Sequence, residues 1–259
     1  MVYVFIEEVR LKRSIFVREI FDCIPPGMRI FDVAALTGKN LITNTERHRF
    51  VDLKVVGIDL AGSENRPTGF CVMTEDLFAK TCIVYKDHEI LDLVKSTMPR
   101  VVAVDAPLSL PRGRTSLEVR EPYHLRGCDR ELLRLGIKFF PITLGPMRRL
   151  TERGMRLKPS IEQLGVKVIE VYPGGAQDVL RIPRKRAGLD KLLRGLRRLG
   201  IKGLKHGMSG DELDAVTCAL VGYLYLRGSY VILGDEEEGV IVMPKPLKKR
   251  AIAGGSSSI

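Results

Sequence analysis

At 259 residues, 45% apolar and 28% charged, the chain can bury the core of one large or two small domains, which excludes a disordered or fibrous protein. Its formal charge of +11 favours a polyanionic partner such as nucleic acid over an acidic one. The longest uncharged stretch, the twelve residues from Ala215 to Leu226, falls short of the roughly 18 needed to cross a bilayer, so no membrane partner is expected.

The opening MVYVFIEEVR interrupts its apolar run with Glu7 and Glu8, unlike a cleaved leader, and the expected address is the cytoplasm. Only two Gln and three Asn occur, a depletion that fits life at high temperature. Residues 1–50 read as a loosely attached N-terminal extension with one helix around 7–22, residues 51–247 as a single α/β domain, and residues 248–259 as a flexible basic tail.

Within the domain, KVVGIDLA (54–61) is a continuous apolar run ending in an acid, the mark of a buried strand. TGFCVMT (68–74) and AKTCIVY (79–85) follow as two strands joined by a short turn. DHEILDLVKSTM (87–98) spaces Ile90, Leu91, Leu93, Val94 and Met98 as a helix does, and RVVAVDAPLSLP (100–111) is a second buried strand, broken by prolines after Asp105. An interrupted helical region (127–164) leads to the strand VKVIEVYP (166–173). Leu189, Leu192, Leu193, Leu196 and Leu199 then form one helical face, Ser209 caps a helix over 210–227, and GVIVMP (239–244) supplies a short closing strand. The order predicts a mixed sheet, three antiparallel strands first and parallel strands after.

Five cysteines without a C-x-x-C pair exclude the zinc-ribbon and redox spacings. They read as small buried hydrophobes, with a cross-strand bond between Cys71 and Cys82 as the alternative.

Asp59 and Asp105 each close a buried strand, and ligands of α/β sheets sit at such carboxyl ends. Asp211 and Asp214 are three residues apart at the start of a helix, hence on one face, with Asp214 where AVTCALVGYL turns inward. Four carboxylates brought together repel, and a divalent cation relieves that repulsion. Oxygen donors without a His/Cys cluster favour Mg²⁺ or Mn²⁺ over zinc.

The blocks GIDLAGSENRPTGFCVM, VVAVDAPLSLP, RGCDRELLRLGIKFFP, VIEVYPG and DELDAVTCALVGYL, in that order over about 54–245, resemble an uncharacterised family of predicted nucleases with a ribonuclease-H-like fold. The D-x-x-D-A pattern at Asp211, Asp214 and Ala215 is also similar to the closing helix of RuvC-type resolvases. The resemblance implies a five-stranded sheet of order 3-2-1-4-5 flanked by helices and a two-metal acidic site that hydrolyses phosphodiesters of DNA or RNA. Asp59 would bridge two ions of Mg²⁺ or Mn²⁺, Asp105 would hold one and Asp214 the other. Asp211 would be a second ligand or an outer acid, and Glu170 the family's extra acid. Asp105 stands where RuvC-type enzymes often carry Glu.

Residues 181–206 hold ten Lys or Arg against one acid. They read either as a solvated face or as a phosphate-tracking helix carrying Arg194, Arg197 and Arg198. Arg120, Arg126 and Arg130 are candidate phosphate clamps, and His124 and His206 are the histidines nearest the motifs, with His206 a candidate proton shuttle. Two other functions remain open. GIDLAGS looks like the first phosphate loop of actin-like and Hsp70-like ATPases, although VDAPLSLP lacks the glycines of a second such loop. A non-catalytic nucleic-acid-binding protein is the other.

Overall fold

The computed structural model describes residues 53–246; the expected N-terminal extension and helix around 7–22, Cys23 and the expected basic tail fall outside the described residues. Strand β1 (Lys54–Asp59) pairs antiparallel with β2 (Thr68–Thr74), and β2 pairs antiparallel with β3 (Ala79–Val84). On its other edge β1 runs parallel to β4 (Val101–Val104), and β4 parallel to β5 (Lys167–Glu170). The order β3-β2-β1-β4-β5 is that of a ribonuclease-H-like mixed sheet.

Strands β1 and β4 are apolar almost throughout because helices cover both faces of the sheet. Val56, Ile58, Phe70, Val102, Val104 and Val168 point to one face and pack on α1 (Asp87–Thr97) and α3 (Gly145–Glu162) through Ile90, Val94, Leu157 and Ile161. The alternate residues Val55, Val101, Ala103 and Ile169 meet Cys218 and Val221 of α6 (Gly210–Leu226). Leu192, Leu193 and Leu196 of α5 (Leu189–Arg198) extend that second core toward Cys71 and Met73. Helix α2 (Gly127–Arg134) follows β4, while α4 (Pro173–Val179) and a 3-10 turn (Lys185–Ala187) connect β5 to α5. Among the described residues, no helix is long and apolar enough to cross a membrane.

Two readings change. The strand at 239–244 does not close the main sheet: as β7 (Gly239–Pro244) it pairs antiparallel with β6 (Tyr230–Asp235) in a separate two-stranded sheet, bridged from Val242 to Val171, the residue after β5. Cys71 lies opposite Thr81, and Cys82 opposite Phe70. Since neighbouring strand positions face opposite ways, Cys71 and Cys82 are on different faces and both are free. Cys71, Cys128 and Cys218 are buried as expected, but Cys82 is exposed.

Candidate active site

Alternation along the strands brings the first two acids together. Counting by twos from Gly57 and Ala103 puts Asp59 and Asp105 on the face covered by α6, at the carboxyl ends of neighbouring parallel strands. The Asp105 amide donates to the Ile58 carbonyl at 2.8 Å, so the ladder continues one residue beyond β4. Helix α6 supplies the other two. It begins in a capping box: the Glu212 amide donates to Ser209 Oγ at 3.2 Å, and the Ser209 amide to Glu212 Oε2 at 2.9 Å. It then lies directly on the sheet backbone. A Cβ on Gly57 would come within 2.2 Å of the Ala215 carbonyl oxygen, and one on Gly69, opposite Asp59, within 2.0 Å of that of Asp211. Only glycine at both positions lets the N-terminal half of α6 approach β1 and β2 this closely.

Three of the four aspartates are gathered around a residue that the sequence did not single out, and Asp105 lies beside two of them, Asp59 and Asp214. Lys185 Nζ stands 2.7 Å from Asp214 Oδ2, 3.6 Å from Asp59 Oδ2 and 3.8 Å from Asp211 Oδ1. The other oxygen of Asp214 accepts from Nε2 of buried Gln177 at 2.7 Å, which fixes the carboxylate's rotation. Burial, assisted by Asp214 and Asp211 and opposed by Lys185, raises the pKa of Asp59 to about 7. Burial and the charges of Asp59 and Asp214 hold Asp105 well above the usual carboxylate range. Burial works against the Lys185 ammonium, but Asp59 and Asp214 outweigh it and raise its pKa.

Among the described residues, no three acids, cysteines or histidines stand ready at metal-ligand spacing; Asp59, Asp211 and Asp214 converge on Lys185 instead. The donor set nevertheless suits a hard divalent cation. It is all oxygen, and one ammonium balances only part of its charge.

Two clefts open from this cluster, with Lys185 lining both. On the Asp59 and Asp211 side, a polar cleft of about 490 Å³ runs past Gly62, Ser63, Arg66 and Arg149. On the Asp105 and Asp214 side, a largely apolar cavity of about 370 Å³ is walled by Phe139, Phe140, Ile142, Met147 and Tyr172.

Of the remaining expected site residues, Glu170 and Arg126 line the same cavity as Asp105 and Asp214, and the others stand apart from the aspartates. Glu170 falls on the opposite parity, with Val168, and is held by Arg126 in a bidentate pair of 2.6 and 2.7 Å while accepting from the Leu108 amide at 2.8 Å. Arg126 also pairs with Asp129 at 3.0 Å and is 1% exposed. A guanidinium shared by two buried carboxylates is a strut, so the expectation that Arg126 clamps phosphate is corrected, and Glu170 stands beside the acids as a neutralised partner. Arg130 donates to the Leu125 carbonyl at 2.8 Å, and Arg120 is exposed in the preceding loop. Arg194, Arg197 and Arg198 line a surface depression with Pro183 and Lys191, and none of the three lines either cleft of the acids. His206 is exposed beside Asp190 at 3.9 Å, and His124 contacts Thr143 at 3.0 Å; neither meets the aspartates. Sequence reasoning passed over Gln177, Arg66 and Arg149 as well as Lys185. For Arg66 a signal was present, since it follows Asp59 by seven residues in the loop that the strand end opens.

Among solved structures, similarity is found to Thermus thermophilus RuvC in complex with a Holliday junction substrate, at 16% identity and a TM-score of 0.42, covering 68% of this chain and 96% of that one. A second structure of Thermus thermophilus RuvC is 17% identical with a TM-score of 0.38, covering 68% and 97%. No curated protein matches the chain. A family model does, over residues 57–238, from the middle of β1 to the turn between β6 and β7, and the chain therefore belongs to the family described as protein of unknown function (DUF429).

Proposed function

We propose that this protein is a divalent-metal-dependent phosphodiester hydrolase acting on DNA or RNA. The observation that carries the reading is the convergence of Asp59, Asp105, Asp211 and Asp214 at one sheet edge, with more negative charge than Lys185 balances. These four residues would hold Mg²⁺ or Mn²⁺, in a two-ion arrangement if both sides of Asp59 are used. Such an ion, when bound, stabilises charge on the phosphoryl oxygens and makes water acidic enough to attack at neutral pH.

The chain's own residues do the rest. Gln177 holds Asp214 Oδ1 so that Oδ2 faces the Lys185 ammonium. Lys185, lining both clefts, meets the scissile phosphate with positive charge where the aspartates alone would repel it. Arg66 and Arg149, with the loop residues Gly62 and Ser63, carry the neighbouring phosphates along the polar cleft.

Labelled single-stranded, duplex, hybrid and branched substrates, each supplied with Mn²⁺, test the proposal. Cleavage of at least one substrate, lost in Asp59→Asn, is the expected result. Saturable ATP binding without strand cleavage would move the chain to the phosphoryl-transfer class, and metal-independent nucleic-acid binding without cleavage would leave a binding protein.

A further inference from the structure

We infer that the cavity on the Asp105 and Asp214 side of the acids binds one unpaired nucleobase, so that the substrate is a nucleotide lying outside continuous duplex. This rests on the hydrolase reading above and names its substrate class. A cavity of about 370 Å³ is near the small end of the range that small-molecule sites occupy, roughly 300–1,000 Å³, and suits one heterocycle with its sugar better than a base pair.

Its lining is divided by polarity. Asp105, Asp214 and Lys185, with the paired charges of Arg126 and Glu170, supply its polar part, and Phe139, Phe140 and Tyr172 bring aromatic surface. Phe140 is 69% exposed, a large apolar ring left in water at the edge of a cavity. The Arg184 guanidinium lies over the Tyr172 ring at 5.6 Å and is held there by Asp178, with Nε to Oδ1 at 2.9 Å. Flat aromatic and guanidinium surfaces are what an unstacked base replaces its lost neighbours with, and they accept any base because every base has a π face. The cleft on the far side of Lys185 has the complementary character, with Arg66 and Arg149 instead of aromatics. A phosphodiester at the aspartates would thus have its backbone in the polar cleft and a base in the apolar one. A paired and stacked base cannot reach such a cavity without leaving the helix, which costs least where it is already unpaired.

Equilibrium binding without added metal separates this inference from the hydrolase reading. The intact chain and the variants Phe140→Ala and Phe140→Trp are titrated with a continuous duplex and with the same duplex carrying one bulged 2-aminopurine. The corresponding nucleoside monophosphate provides a third arm. Wild type should bind the bulged duplex at least tenfold more tightly than the continuous one and change its 2-aminopurine fluorescence. Phe140→Ala should lose roughly tenfold in affinity and most of that signal, and Phe140→Trp should restore both. Phe140 is exposed and outside the core, so both variants should keep the fold, which circular dichroism checks. Equal affinity for both duplexes with no fluorescence change would overturn the inference, even if Mn²⁺-dependent cleavage is found. So would a monophosphate that binds as tightly as the bulged strand. Absence of cleavage with the fluorescence signal intact would instead remove the hydrolase and leave the base site.

Discussion

Lys185 occupies the place where a cation is wanted, and its removal discriminates between competing and cooperating charges. At about 4 Å and an effective dielectric of 20, two unit charges interact by about 4 kcal/mol. Lys185 is about half exposed, so solvent reduces that considerably. Lys185→Met should therefore bind Mn²⁺ roughly tenfold more tightly in calorimetry while losing turnover, because the ammonium both competes for the Asp214 oxygen and meets the phosphate. Unchanged affinity would show that the lysine does not contest the ion. The raised pKa of Asp59, about 7, makes a second residue-scale prediction for the metal-free protein. An acid that titrates higher folded than unfolded contributes stability below its unfolded value near 4, and that contribution is lost as pH rises through 7. The apo protein should melt higher at pH 5 than at pH 8, by at least about 2–4 °C for each pKa unit of net shift. Mn²⁺ should raise the melting temperature most at pH 8, and Asp59→Asn should flatten the pH profile and remove most of the metal effect. The four aspartates were legible because an acid ending a buried strand, or opening a buried helix, is out of place chemically. Lys185 was not, being one of ten basic residues in 181–206, and nothing in the sequence signalled that Glu170, in the same cavity as Asp105, is paired with Arg126.

At the scale of elements, the site depends on how closely α6 rides on β1 and β2. Gly57→Ala would put a methyl 2.2 Å from the Ala215 carbonyl oxygen and the Ala219 amide nitrogen, both backbone atoms that cannot rotate away. The helix must move, at a cost of about 1–3 kcal/mol or more, and Asp211 and Asp214 move with it. We expect a lower urea midpoint together with loss of the Mn²⁺-induced stabilisation. Gly145→Ala, whose Cβ meets nothing within 4 Å, is the matching control and should leave both unchanged. Wild-type metal response in Gly57→Ala would show that the acids do not need this contact. The elements themselves were read with uneven success. Ser209 announced α6 as its cap, and the apolar runs announced β1 and β4. Helix α4 was missed because Pro-Gly-Gly opens it, a poor helix sequence that the surrounding core nonetheless holds. With it went Gln177, the residue that orients Asp214. Strand β6 was missed because most of its length is exposed or half-exposed and it shows no core-facing pattern until paired with β7.

At the scale of the whole molecule, the chain carries a net charge of +11 while the site's own charge is negative, and the two must be reconciled for a polyanion to bind. The mixed sheet was legible because two continuous apolar runs and one hairpin demand it, whereas the sequence offered no sign of which basic residues lie near the acids. The structure separates them: Arg66 and Arg149 line the cleft of the acids, while Arg194, Arg197 and Arg198 lie on α5 outside both clefts. If α5 tracks a phosphate backbone leaving the site, its arginines contribute affinity and no chemistry. Arg197 is a poor probe, since its Nη2 donates to the Leu204 carbonyl at 2.8 Å and its loss would disturb the fold. Arg194 and Arg198 have no ion pair among the described residues, so the double variant Arg194→Ala with Arg198→Ala isolates the electrostatic contribution. Each lost phosphate contact lowers the slope of log K against log salt by roughly 0.7 for single strands and 0.9 for duplex, so the double variant should flatten it by up to about 1.4–1.8. Turnover at saturating substrate should persist, because the aspartates and Lys185 are untouched. The leucines Leu192, Leu193 and Leu196 that seat α5 in the core are untouched too, so the melting temperature should barely change. A double variant with the wild-type slope would make α5 a solvated face, and the steering of the polyanion would then rest on Arg66 and Arg149 beside the acids.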